Sequence, residues 1–214
     1  MGTVTVVVPA RTAARDLPRV LKPLRDAGWR IVVVDDHSTD ATAEVAASMG
    51  ATVMLSQGEA NDYMARNTGA LASDSEFLVF LDADVVAPAA VVRRALETVA
   101  RGEAACVFGV YDRGDHLDGV VSRYKNFWIR VSTLDAPRPL TWINTSLAVM
   151  RRETYRAAGG FETTFTRGRG GGDLDFGRRV AARCGPIETG DAYAVSHLKR
   201  FTLGSLLKND FNRA

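Results

Sequence analysis

Cysteine is almost missing. There are two in 214 residues, Cys106 inside an apolar run and Cys184 at the end of a helix-like one, with no Cys-x-x-Cys pair. That excludes a disulfide framework or a cysteine-built metal centre, and implies reduced thiols in a cytoplasmic protein. Long apolar runs are missing too. None approaches the roughly 20 residues that span a bilayer, and residues 1–9, which lack a basic leading segment, read as a first strand rather than a signal peptide. Excess charge of one sign is likewise absent: 27 Lys and Arg stand against 25 Asp and Glu, a formal net charge of +2. No stretch holds five or six like charges, so nothing calls for a nucleic-acid partner. Only residues 199–213 lean basic. Internal repeats and dividing linkers are also lacking, so one domain over residues 1–214 is expected. With 46% hydrophobic and 24% charged residues, the chain can bury a sizeable single core.

What is present is organised around residues 77–86. Phe77 to Leu81 form a continuous apolar run, too short for a free-standing helix and rich in aromatic and branched residues, as in a strand buried on both faces. The run empties into Asp82-Ala83-Asp84. Two carboxylates one residue apart cannot both stay charged in a dry core, so the chain must present them at the edge of the sheet, to water or a cation. An alternative duty for either acid is to cap the helix that begins near Pro88.

Other strand and helix patterns surround that run. Residues 3–8 form a β-branched strand stopped by Pro9. Helical spacing follows at 16–27, a buried strand at 31–34, and a helix through Ala47 and Met49 that Ser38 and Asp40 are suited to cap. Residues 52–55 suggest a strand and 60–72 a helix. Further helices are expected at 89–100, 120–131, 152–158 and 173–183, with strands at 104–110, 142–150 and 193–196. Strands alternating with helices imply parallel βαβ units with right-handed crossovers, so Pro9, Asp36 and Asp84 should line one cleft at the carboxyl edge, where open α/β sheets bind ligands. The glycine-rich stretch 161–172 suggests a mobile closing loop. Residues 201–214 are amphipathic, suited to a membrane surface or, preferably, to packing on the domain.

Four blocks in order, Val6-Val7-Val8-Pro9, residues 31–40 with Asp35-Asp36-His37-Ser38, Phe80-Leu81-Asp82-Ala83-Asp84, and Gly172-Asp173-Leu174-Asp175, resemble the family 2 inverting nucleotide-sugar glycosyltransferases of GT-A fold. The resemblance spreads over nearly the whole chain. It implies an α/β fold with a Rossmann-like, mostly parallel sheet flanked by helices. It also implies a nucleotide-sugar half over about residues 1–110 and an acceptor and catalytic half over about 111–214. Carried over by position, Pro9, Ala10, Asp36, Arg66, Asp82 and Ala83 would contact the donor. Asp84 and His197 would hold a divalent cation, Mn²⁺ or Mg²⁺, and Asp173 would be the general base.

The residue types suit those tasks. A carboxylate accepts two donors from a base or ribose, hard oxygens and a neutral imidazole bind Mn²⁺, and a carboxylate on the far face can take the acceptor proton in a single inverting displacement. Each also has a plainer reading: a helix cap for Asp36 or Asp173, a solvated arginine for Arg66, a strand-end histidine for His197. The family usually has Glu before the base; here Gly172 stands there, and Asp175 is a second candidate base. Lys199 and Arg200 read as a solvated basic pair or as diphosphate contacts, and Tyr124, Trp128 and Trp142 as core rather than as stacking platforms.

The expected function is metal-dependent, non-processive transfer from a nucleotide-diphosphate sugar to a hydroxyl acceptor, whether glycan, lipid-linked or small molecule, in a cytoplasmic or membrane-peripheral protein. No Gln-x-x-Arg-Trp block of processive synthases follows His197. The rival non-enzyme reading is a degenerate nucleotide-sugar-binding module, which Gly172 favours. An aspartate-nucleophile phosphatase would place its Asp-x-Asp after the first strand, and a nucleotidyltransferase would need a basic glycine-rich loop where Pro9-Ala10-Arg11-Thr12 stands.

Overall fold

The computed structural model describes residues 2–165 and 171–211. A seven-stranded sheet runs in the order β3-β2-β1-β4-β8-β6-β9. Its strands are β1 (Val4–Ala10), β2 (Arg30–Asp35), β3 (Thr52–Leu55), β4 (Phe77–Leu81), β6 (Cys106–Phe108), β8 (Leu147–Arg151) and β9 (Ile187–Glu188). All pairings are parallel except those of β8, which runs against both β4 and β6. A small second sheet joins β5 (Val85–Val86), β10 (Ala194–His197) and β7 (Val110–Tyr111). The helices are α1 (Leu17–Asp26), α2 (Thr42–Ser48), α3 (Asp62–Leu71), α4 (Ala89–Ala100), α5 (Val120–Leu134), α6 (Arg152–Ala158), α7 (Gly172–Arg183) and α8 (Leu203–Phe211). This is the expected α/β architecture in one domain.

Strand alternation sorts the core into two layers. From β1, Val6 and Val8 face α1, α2 and α4, while Val7 faces α3, α6 and α7; β4 divides Phe77, Val79 and Leu81 from Leu78 and Phe80 in the same way. Helix α3 lies so close to β1 that a Cβ on Gly69 would stand 2.4 Å from a Val7 methyl, which only glycine permits. Both cysteines are free.

The expected boundaries at Thr52–Leu55, Phe77–Leu81, Ala89–Ala100 and Arg152–Ala158 hold. Pro9 does not stop β1, which continues to Ala10. Ala10 carbonyl accepts the Asp36 N–H at 2.8 Å, so residue 10 turns its backbone groups toward β2 and residue 9 toward β4. The β4 pairing has already ended at Val7 with Phe80, so the donor that proline lacks has no partner there. The expected strand at 104–110 divides at Gly109, which hands β7 to the small sheet; the two-residue strands β5 and β9 had no sequence signal. Residues 142–146 stay out of the sheet: Asn144 Oδ1 accepts the Ser146 N–H at 3.0 Å, an Asx turn that breaks the strand just before β8. The expected closing loop lies in part, at 166–170, outside the described residues. Among the described residues no helix is long and apolar enough to cross a membrane.

Candidate active site

Where β4 ends, residues 82–84 turn (Val85 N–H to Asp82 carbonyl, 3.1 Å) and the chain re-enters the small sheet as β5. That turn forms the floor of a cavity of about 890 Å³, which Pro9, Arg66, Asp82, Ala83, Asp84, Asp173 and His197 all line.

Asp84 and His197 are brought together by the ladder between β5 and β10. His197 pairs with Val85, and Leu198 N–H reaches the Asp84 carbonyl at 2.8 Å. The Asp84 carboxylate then lies 3.5 Å from His197 Nε2. The imidazole is held by stacking on Tyr111, with centroids 4.4 Å apart, and the His197 backbone carbonyl accepts from His116 Nε2 at 3.0 Å. Burial works against the charge on Asp84, but the hydrogen bond and charge of His197, with Lys199, hold its carboxyl below the ordinary range. Lys199 lines the cavity, whereas Arg200 pairs outside it with Asp118 at 3.0 Å.

Arg66 is not a solvated helix-face arginine. It is buried on α3 and bonds Asp62, one helical turn back, and Asp82, each at 2.7 Å. Asp82 is therefore engaged by a protein cation as well as facing the cavity. Burial pushes it up to about 6, with Asp84 and Asp173 adding to the rise and Arg66 opposing it.

Asp173 opens α7. Thr145 holds it, its hydroxyl 3.1 Å from both carboxylate oxygens and its N–H 3.3 Å from Oδ2. Burial raises the Asp173 pKa against the pull of Arg66 and Thr145. Asp175 is bound to Arg179 at 2.6 Å and does not line the cavity, so it does not share the base position. Gly172 also has a local reason. A Cβ there would sit 2.3 to 2.7 Å from the Tyr63 ring, which fills the space a side chain would take.

Ala10 and Asp36 depart from expectation, since neither lines the cavity. The ladder step from Ala10 to Asp36 and the Asn61 N-cap of α3 close over them. Asp36 Oδ1 accepts Asn61 N–H at 3.0 Å, and its buried Oδ2 has no partner among the described residues. A buried carboxylate oxygen left unpaired is unusual; Asp36 is sealed beneath Asn61 and does not open onto the cavity. Trp128 and Tyr124 are not core either: they are 51% and 58% exposed, and Trp128 and Trp142 line the cavity.

Sequence reasoning gave no role to Thr145, Tyr63 or Asp62. Only Asp62 had a usable signal, its i,i+4 spacing to Arg66; Thr145 lay hidden in a segment that reads as strand.

The donor set fits a divalent cation. Asp82, Asp84 and Asp173 gather more negative charge than Arg66 balances, and Asp84 and His197 offer one oxygen and one nitrogen. No cluster of three or more His, Cys, Asp or Glu ligands occurs among the described residues, so phosphate oxygens and water would complete the shell, as Mg²⁺ and Mn²⁺ favour.

The family model for Glycosyl transferase family 2 matches residues 5–159. The 4,4'-diaponeurosporenoate glycosyltransferase of Staphylococcus haemolyticus is 36% identical over 91 residues, which is 39% of this chain and 24% of that relative. The mannosyltransferase PcManGT of Pyrobaculum calidifontis, in complex with GDP-Man and Mn²⁺, superposes with a TM-score of 0.74 at 20% identity, over 97% of this chain and 59% of that one. Glucosyl-3-phosphoglycerate synthase of Mycobacterium tuberculosis, in complex with Mn²⁺ and UDP-glucose, gives 0.65 at 19%, over 98% and 76%. At such identities the likeness of structures is one of fold. The matched stretch spans about a quarter of the curated relative's length.

Proposed function

The chain belongs to glycosyl transferase family 2 and carries the GT-A glycosyltransferase fold; from that premise we propose that it moves one sugar per encounter from a nucleotide-diphosphate donor to a hydroxyl acceptor, with divalent-cation dependence and inversion at the anomeric carbon. The supporting observation is that acids from β4's end and α7, a histidine from β10 and an arginine from α3 converge on one cavity.

The donor half, residues 1–110, binds the nucleotide beside Pro9 and Ala10, and Asp36 accepts from the base or ribose once Asn61 moves aside to uncover Oδ2. Asp84 and His197 would hold the cation. When bound, it supplies Lewis acidity that offsets charge on the leaving group. Arg66 fixes Asp82 and places positive charge behind the reacting centre. From the acceptor half, residues 111–214, Asp173 takes the acceptor's hydroxyl proton as the new bond from oxygen to the anomeric carbon forms. The old carbon–oxygen bond breaks with its electron pair remaining on the diphosphate. Thr145 aims the carboxylate, and burial raises its proton affinity. A cytoplasmic or membrane-peripheral location accords with this chemistry.

A thermal-shift panel of UDP-, GDP- and dTDP-sugars with and without Mn²⁺ tests the reading, since a ligand that binds the folded state raises its melting temperature. One donor should stabilise the protein in a Mn²⁺-dependent way, and release of its nucleoside diphosphate should follow on incubation. No stabilisation by any donor overturns the reading. Stabilisation without release, across an acceptor panel, leaves the degenerate binding module.

A further inference from the structure

Helix α5 is turned inside out. Its buried side chains are Ser122, Lys125, Asn126 and Thr133, while Val120, Tyr124, Phe127, Trp128 and Val131 are 36% to 77% exposed. The inward polar groups are tied down: Ser122 Oγ accepts Phe201 N–H at 2.8 Å, and Asn126 Nδ2 donates to the Asp112 carbonyl at 2.7 Å. Spacings of four, three, one and three residues put the five exposed apolar side chains within about a 100° arc, a stripe ~16 Å long. Arg123 and Arg130 fall off that arc, and Arg130 pairs with Asp191. Helix α8, which packs on α5, also leaves Leu203 and Leu207 exposed.

The stripe leads into the cavity. Trp128 belongs to both, and Ile129 and Trp142 add apolar surface to the cavity lining, alongside Ser132 and Thr133. Next to Asp173 the lining stays aromatic, because Gly172 offers no side chain and the Tyr63 ring lies against it. Such a path suits one molecule that is polar at one end and apolar along the rest.

We propose that the acceptor is an amphiphile: its hydroxyl-bearing head enters the cavity toward Asp173, and its apolar chain lies on α5 from Trp128 toward Val120. This rests on the reading of the cavity as a sugar-transfer site. A second protein copy or a bilayer would also cover an apolar face, but neither accounts for a stripe that runs into the reaction cavity.

The test uses octyl, decyl and dodecyl maltoside below their micellar concentrations, with the full chain and binding followed by calorimetry. Affinity should rise about 3- to 15-fold per two methylenes, in keeping with partial to full burial of each. Val120→Ser with Phe127→Ser, on the exposed face and away from the cavity, should flatten that dependence and leave Mn²⁺-dependent donor stabilisation unchanged. Affinity independent of chain length, or unaffected by the double substitution, overturns the proposal. So does binding to phosphatidylcholine–phosphatidylglycerol vesicles, or dimerisation in sedimentation, with no binding of monomeric maltosides. Donor binding without chain-length dependence defeats this inference alone, whereas chain-length dependence without donor binding defeats the transfer reading on which it rests.

Discussion

Asp82, Asp84 and His197 stand on strand ends, their backbones fixed by the β4, β5 and β10 ladders, whereas Trp128 and Trp142, which line a second wall of the cavity, come from a helix and from a stretch of irregular backbone. The first wall is charged and tied into the sheet. The second is aromatic, and Trp128 on it is half open to solvent. Groups that must balance charge within a few tenths of an ångström sit where the backbone cannot move, and groups that only need to cover apolar surface sit where it has more freedom. Substitutions on the first wall should therefore act on chemistry, and those on the second on recognition.

The contrast can be broken most forcefully at Asp84. Asp84→Ala should remove the Mn²⁺-dependent part of donor stabilisation and lower turnover by about 10³-fold or more, as befits loss of charge stabilisation at the leaving group. Retained Mn²⁺ dependence would move the cation elsewhere. Asp173→Asn should leave donor melting shifts intact while transfer falls by about 10²- to 10⁴-fold; full activity would remove the base assignment. Because burial raises the Asp173 pKa, its active ionised form is lost as pH falls through that raised value. The acid limb of the kcat profile should thus lie above the ordinary carboxylate range, and vanish in Asp173→Asn.

Arg66→Met should destabilise the fold by about 3 kcal/mol, because it leaves Asp62 and Asp82 without their buried cation. Denaturant titration measures this, and part of the loss should return with Mn²⁺ and donor. Gly172→Glu should cost about 1–3 kcal/mol by overpacking against Tyr63, and Tyr63→Ala in the same chain should relieve it. Additive losses in that pair would mean that the ring does not occupy the side-chain space. Smallest of all, Trp142→Ala should raise the acceptor KM several-fold with little change in donor affinity.

The charged wall was largely legible in the sequence, and the aromatic wall was not. Residues 77–81 form an unbroken apolar run that ends in acids, so strand, edge and carboxylates follow from one stretch. The same logic exposed Asp36, yet could not show that Asn61 closes over it, since that contact joins separate elements. Thr145 was hidden because a β-branched residue among apolar neighbours looks like strand until an Asx turn intervenes. In α5, the sequence suggested a helix but not its orientation: periodicity says which residues share a face, while burial decides which face turns inward. Tyr124 and Trp128 were accordingly expected in the core and stand outside it. The two-residue strands β5 and β9 carry too few residues for any pattern.

The pairing of β5 with β10 joins Val85 and Val86 to His197 and Ser196, more than a hundred residues along the sequence. A partly synthesised or clipped polypeptide that stops before Ala194 would keep Asp84 but have no imidazole beside it, and so could not seat the ion. Under the proposed reading, then, the ion site is assembled only when these two distant segments have paired.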